Sequence, residues 1–351
     1  MRVLVTGAAG FIGSAVARQL EADGTEVVKV DCYLSQAHGD LDLDKLDHRD
    51  GVHVLDVRDA DGWRHLLRGI DAVSHQAAMV GAGVSVADLP TYASLNDLGT
   101  AALLAAMHVE GVDAMVLASS MVVYGEGWYS CAEHARQAPG TRSRQALDRG
   151  DFENRCPICD EPLGWLTVPE TARLEPRGAY AASKVAQEHY TSSWARQAGA
   201  RAIGLRYHNV YGPQMPRDTP YAGVAAIFRS ALEADRAPRV FEDGGQMRDF
   251  VHVADVARAN VLALKAVVER QPDSWATYNV CSGTPVSILD VARMLGGEPE
   301  ATGEYRLGDV RHVVASPDLA KQELGFIAAV NPQAGLAKFV TDPMRAPVTS
   351  R

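Results

Sequence analysis

No run of apolar residues in this sequence is long enough to span a bilayer, which argues against a membrane-embedded protein. The first apolar run, Arg2 to Val5, is interrupted at Gly7 and lacks the long core of a secretory leader. Positive charge is also scarce: 34 Lys and Arg stand against 44 Asp and Glu, a formal net charge of -10. Nothing in that balance suggests a nucleic-acid or anionic-membrane partner, although a local basic pocket can still hold a phosphate. Only five cysteines occur, Cys32, Cys131, Cys156, Cys159 and Cys281. We therefore expect a cytoplasmic protein whose thiols stay reduced. Internal repeats and low-complexity tracts are missing as well.

What is present is apolar material for a core, 47% of 351 residues, enough for one large domain with a smaller C-terminal lobe. Strand-like runs at 2–6, 26–31, 52–55, 72–75 and 113–118 alternate with helical patterns near 11–22, 60–68 and 91–109. This alternation predicts an α/β fold, a Rossmann-type doubly wound parallel sheet covered on both faces. The pattern stops near Tyr124, and a polar stretch follows at 126–169. Helical periodicity returns at 179–198, with a strand at 202–206 and helices near 221–234 and 254–268. We expect residues 1–207 to form the dinucleotide domain and 208–351 mainly a substrate lobe, with some segments returning to the first domain.

The first strand runs into Thr6-Gly7-Ala8-Ala9-Gly10-Phe11-Ile12-Gly13 and then a helix. Glycines there permit a tight turn and let backbone N–H groups approach a pyrophosphate at the helix N-terminus. Their spacing, Gly-x-x-Gly-x-x-Gly, departs from the Gly-x-Gly-x-x-Gly fingerprint, so a turn without a ligand stays open on the glycines alone. Asp31 ends the second strand, where a carboxylate accepts hydrogen bonds from both ribose hydroxyls of an adenosine and repels a 2′-phosphate. That favours NAD over NADP; the alternative is a solvated strand end.

Tyr180 and Lys184 lie four apart on a predicted helix and so share one face. A nearby ammonium, together with the positive nicotinamide ring, favours the phenolate and would turn Tyr180 into a general base, whereas the same spacing is also common as a structural pair. Ser119 and Ser120 close the fifth strand, at the carboxyl edge where open α/β sheets bind ligands.

With TGAAGFIG at 6–13, DVRD at 56–59, HQAA at 75–78, YASLNDLGT at 92–100 and SSMVVYG at 119–125, the chain resembles the extended short-chain dehydrogenase/reductase family, specifically its nucleotide-sugar epimerases and dehydratases. YAASK at 180–184, RYHNVYGP at 206–213, RDFVHVADVA at 248–257, YNVCSG at 278–283 and GDVRH at 308–312 extend the resemblance over nearly the whole chain. The resemblance implies Ser120, Tyr180 and Lys184 as the catalytic residues. For NAD it implies Gly7, Gly10, Phe11, Ile12, Gly13, Asp31, Asp56, Val57 and Ala77, with Tyr180 and Lys184. It implies Asn209, Arg248 and Arg306 for the substrate phosphates, Asp309 for its ribose, Ser120 and Met121 beside the sugar, and Val313 in the pocket wall. Asn96 reads as a helix-positioning hydrogen-bonding group. Relatives pair through helices matching 91–109 and 180–198, which implies a homodimer.

Within that family, the 4,6-dehydratases carry Asp-Glu after the catalytic hydroxyl residue, where this chain has Met121 and Val122. Neither can transfer a proton, which disfavours dehydration and leaves 4-epimerisation or 4-keto reduction. The stretch from Arg206 to Leu232, with VFEDGGQMRDFV at 240–251, resembles the TDP-L-rhamnose 4-epimerases. UDP-glucose 4-epimerases, ketoreductases and a catalytically silent NAD-binding sensor are the alternatives.

The resemblance does not account for the 55 residues between Tyr124 and Tyr180. Cys131 and His134, then Cys156 and Cys159 after 21 further residues, form two pairs with two-residue spacing. These are ligand types that a structural Zn²⁺ prefers, and a polar loop with little apolar surface would need such an ion to order it. Three free thiols and an unrelated histidine in a mobile loop are the alternative.

Overall fold

The computed structural model describes residues 1–39, 51–81, 86–217 and 223–345. Seven parallel strands build the main sheet: β1 Arg2–Thr6, β2 Glu26–Asp31, β3 Val52–Val54, β4 Ala72–His75, β5 Ala114–Ser120, β6 Arg201–Tyr207 and β7 Ser274–Val280. Their spatial order is β7-β6-β5-β4-β1-β2-β3, so the direction of winding reverses between β1 and β4. Such a switch point opens a crevice at the strands' carboxyl ends.

Alternation within each strand feeds both faces. Val3 and Val5 join one apolar cluster with Val116, Ala118 and Ile203, while Leu4 joins the other with Met115, Leu117 and Ala202. Helices α1 Phe11–Ala22 and α4 Val253–Glu269 cover the first face through Val16, Leu20, Val256 and Leu264. Helices α2 Gly99–Glu110 and α3 Ala179–Ala198 cover the second through Leu103, Met107 and Ala195.

Two expected helices are irregular. The one near 60–68 divides into Ala60–Trp63 and a 3₁₀ turn Arg64–Leu67. The one near 91–109 contains a π-helical stretch, Ala93–Leu98, before α2. Asn96 lies in that stretch and is buried; its side chain bonds the Met79 N–H at 2.7 Å, the Met79 carbonyl at 3.0 Å and Ser183 Oγ at 2.8 Å. It thus ties this helix to α3, in keeping with a positioning group.

The second lobe is built on a small sheet of Asn209–Tyr211, Met247–His252 and Pro285–Ser287, with its own core around Tyr211, Phe228, Phe250 and Phe339. Residues 218–222, part of the loop stretch that suggested a rhamnose substrate, lie outside the described residues. The 126–169 segment holds more regular structure than a polar loop: antiparallel strands Trp128–Cys131, Ala135–Gln137 and Gly164–Leu166, and a helix Arg144–Asp148. Tyr129, Cys131, Cys156 and Leu163 form a small buried cluster inside it. No helix among the described residues is long and apolar enough to cross a membrane.

Candidate active site

Strand alternation sends Ser119 and Ser120 in opposite directions. Ser119 Oγ donates to Glu188 at 2.5 Å, while Ser120 Oγ accepts from the Val122 N–H at 3.4 Å and acts on the Tyr180 hydroxyl, favouring its ionised form. Tyr180 enters from the first turn of α3, and Lys184 follows one turn later on the same face. The Lys184 ammonium donates to the Ala118 carbonyl at 2.8 Å and stands 5.9 Å from the Tyr180 ring centroid. Burial pushes Lys184 down to about 7, opposed by the Glu188 carboxylate. Burial also pushes the Tyr180 phenol up, opposed by the Ser120 hydrogen bond. Burial thus works against the ionised form of Tyr180, while the charges expected to favour the phenolate, the Lys184 ammonium and a bound nicotinamide ring, act in the opposite direction.

At the β1–β4 switch point, a groove is lined by Gly7, Gly10, Asp31, Asp56, Val57 and Ala77. Gly7 has φ +64°, and a Cβ there would lie 2.7 Å from the Ala77 nitrogen; a Cβ on Gly13 would lie 2.0 Å from the Gly7 carbonyl oxygen. The turn is therefore open to only one residue type at both positions. Asp31 accepts from the Ala9 N–H at 3.0 Å and the Tyr33 N–H at 2.8 Å, which aims the carboxylate across the groove and leaves lone pairs for two hydroxyls. These features fit a dinucleotide. Phe11 and Ile12 pack their side chains on the two cores, so only their backbone can serve a cofactor.

Tyr180 also lines a second chamber with Met121, Val122, Arg177, Arg248, Asp309 and Val313. This chamber shares Arg248, Asp309 and Val310 with a third, where Asn209 and Arg306 lie. Of the residues expected at the substrate, all but Ser120 thus line these two adjoining chambers. Asn209 Oδ1 is buried there with no hydrogen-bond partner, an acceptor that a ligand donor would satisfy. Arg306 lies over the Phe241 ring, 5.0 Å from its centroid. Arg248 is more committed than its sequence position implied: it donates to the carbonyls of Met247, Val310 and Arg311 at 2.7–2.9 Å. Three of its five N–H groups are thereby used on the wall itself.

Several residues to which the motifs assigned no role hold this site together. Glu188 and Arg206 form a buried two-pronged ion pair at 2.8 and 2.9 Å directly behind Lys184. Arg311, almost fully buried, binds Glu153, Glu242 and Asp243, and Glu153 also bonds His312 at 2.9 Å. Glu153 belongs to the 126–169 segment, so that segment grips the 308–312 wall. In the same segment Cys131, His134, Cys156 and Cys159 come together, with one ligand atom of each within 4.8 Å of all the others.

Known proteins match along most of this length. The family described as the NAD dependent epimerase/dehydratase family matches residues 3–144 and 162–281. The dTDP-L-rhamnose 4-epimerase of Burkholderia thailandensis is 33% identical over 97% of this chain and 94% of its own. The UDP-glucose 4-epimerase of Thermus thermophilus, solved with NAD, is 32% identical with a TM-score of 0.72, covering 97% of this chain and 98% of that one. The Thermotoga maritima UDP-glucose 4-epimerase, solved with UDP-glucose, is 27% identical with a TM-score of 0.75 and covers 97% of each chain.

Proposed function

The chain belongs to the NAD dependent epimerase/dehydratase family, and from that premise we propose that it is an NAD-dependent nucleotide-sugar 4-epimerase acting on a dTDP-6-deoxyhexose, dTDP-L-rhamnose. The observation that carries 4-epimerisation is the surrounding of the Ser120–Tyr180 hydroxyl pair, where the next two residues in the chamber are Met121 and Val122. Neither side chain moves protons, so the acid–base chemistry is confined to a single hydroxyl-bearing carbon. Residues 1–207 would hold NAD and 208–351 most of the nucleotide sugar.

When bound, NAD supplies a hydride acceptor for C4. Tyr180 takes the proton of the 4-hydroxyl and returns it after the sugar has turned over. Ser120 donates to the same oxygen and stabilises its developing charge. Lys184 would hold the nicotinamide ribose, and Asp31 the adenosine ribose. Asn209, Arg306 and what remains of Arg248's donors would grip the pyrophosphate, with Asp309 on the ribose, so that the sugar alone rotates.

The choice of a rhamnose substrate rests on the likeness to the Burkholderia enzyme; UDP-glucose is the second reading, favoured by the solved neighbours. Incubation with UDP-, dTDP- and GDP-hexoses, with C4 epimers resolved by NMR, tests both. Turnover of dTDP-L-rhamnose without net NADH change supports the proposal. Exclusive turnover of UDP-galactose overturns the substrate, and stoichiometric NADH or NADPH consumption by a 4-keto sugar establishes a reductase.

The expected partner is a second copy of the chain. Val109 on α2 and Tyr190 on α3 are 62% and 47% exposed, beside a groove lined by Ala101, Leu104 and Trp194. Apolar surface on adjacent helices suits a four-helix contact. A monomer at micromolar concentration in sedimentation would refute the dimer.

A further inference from the structure

We propose that Cys131, His134, Cys156 and Cys159 bind one structural Zn²⁺, and that this ion clamps the 126–169 segment so that it braces the 308–312 wall of the substrate chamber. The geometry matches a single tetrahedral ion. Sulfur ligands at about 2.3 Å and a nitrogen at about 2.05 Å place sulfurs about 3.8 Å apart and sulfur and nitrogen about 3.6 Å apart. Here Cys131 Sγ lies 3.6 Å from Cys159 Sγ and 3.6 Å from His134 Nδ1, and Cys156 Sγ lies 3.7 Å from the same nitrogen. A disulfide needs sulfurs at about 2.05 Å, and all three thiols are free.

The turn between Cys156 and Cys159 closes with Asp160 N–H on the Cys156 carbonyl at 3.0 Å and with Asp160 itself at φ +62°. Three sulfurs and one imidazole are soft, tetrahedral ligands that suit zinc. Four ligand atoms mutually within 4.8 Å enclose one ion and leave too little room for a two-iron cluster. Binding releases three thiol protons to solvent and fills every coordination position, so the ion takes no part in catalysis.

From the ion the structure continues to the substrate wall. Tyr129 packs in the cluster with Cys131, Cys156 and Cys159. Its hydroxyl accepts from the His312 N–H at 3.0 Å and donates to Glu126 at 2.6 Å, and Glu126 accepts from the Arg311 N–H at 3.1 Å. Val310 and Val313, on either side of this contact, line the chamber beside Tyr180.

The test is metal analysis of the full chain purified without chelator, followed by hydrogen exchange before and after metal removal. About one zinc per chain is expected. Replacement by cobalt should give thiolate-to-cobalt charge-transfer absorption, and the paired substitution Cys156→Ser and Cys159→Ser should lose the metal. Because the wild-type metal content is measured directly, a variant that fails to fold cannot rescue the proposal. Amides at 308–313 should exchange about tenfold faster after metal removal, while those of β1 and α3 keep their protection. A folded wild-type chain without zinc, iron in its place, or a disulfide among the three cysteines would overturn the site. Unchanged exchange at 308–313 in the metal-free chain would overturn the bracing role.

Discussion

Helix α3 lines the chamber and the 126–169 segment contacts its 308–312 wall from outside, and the two are held in place by different physics. Helix α3 lies on the main sheet with Lys184, Glu188 and Gln187 buried, backed by a continuous apolar cluster and by Arg206 from β6. Its order follows from the large area that the whole domain removes from water. The 126–169 segment has a cluster of four buried residues, two of them cysteines, and depends on directional contacts: the proposed sulfur and nitrogen ligation of an ion, Tyr129 on His312, Glu153 on Arg311. Position on α3 is therefore shared with the global fold, whereas position in the segment rests on a few contacts that can be removed singly. Damage to the first should abolish chemistry or folding; damage to the second should loosen one wall.

The sharpest break on the α3 side is Tyr180→Phe. Only the proton-accepting oxygen is lost, so turnover should fall on the order of 10³-fold or more, with NAD binding and thermal stability kept. Initial rates by NMR beside a cofactor titration check this, and activity near wild type would remove Tyr180 from the mechanism. Next in size is Arg206→Leu, which strands Glu188 without its cation in a buried position. A loss of about 3–5 kcal/mol of stability is expected in denaturant unfolding. A loss under about 1 kcal/mol would mean that the helix does not depend on this pair.

These residues also mark the limit of what is legible from sequence. Strands, the glycine turn, the Tyr180–Lys184 face and the two Cys/His pairs all follow from short spacings, and the structure brings the four Cys/His ligand atoms together. Glu188 lies in no motif and 18 positions from Arg206, and Arg311 reaches Glu153 across 158 positions. Spacing carries no record of such meetings, because they exist only once the sheet and the segment have docked. Burial is illegible for a related reason: the Tyr180–Lys184 spacing announces an ammonium but says nothing of how much water the fold removes from the phenol.

Lys184 lets that desolvation be measured. Its folded value of about 7 lies below the ordinary 10.5, so between those values the unfolded chain binds more protons than the folded one. Stability from this residue therefore rises with pH across that window, and the full cost of the buried charge remains below about 7. Lys184→Met removes the titration. The stability of the variant relative to wild type should fall by on the order of 2 kcal/mol between about pH 7.5 and 9.5, read from urea unfolding at each pH. A constant difference would return Lys184 to ordinary lysine behaviour.

The smallest expected effect belongs to the segment and tests the comparison most directly. Tyr129→Phe keeps the ring among Cys131, Cys156 and Leu163 and removes only the hydroxyl between Glu126 and the His312 N–H. A hydrogen bond of this kind contributes about 1 kcal/mol net, so a rise of about fivefold in KM for the nucleotide sugar is expected. kcat and zinc content should hold, since neither Tyr180 nor any metal ligand is touched. A matching fall in kcat would mean that the 308–312 wall positions the reacting carbon as well as the nucleotide. In that case the segment and α3 would act as one unit, and the division between them would lie elsewhere in the molecule.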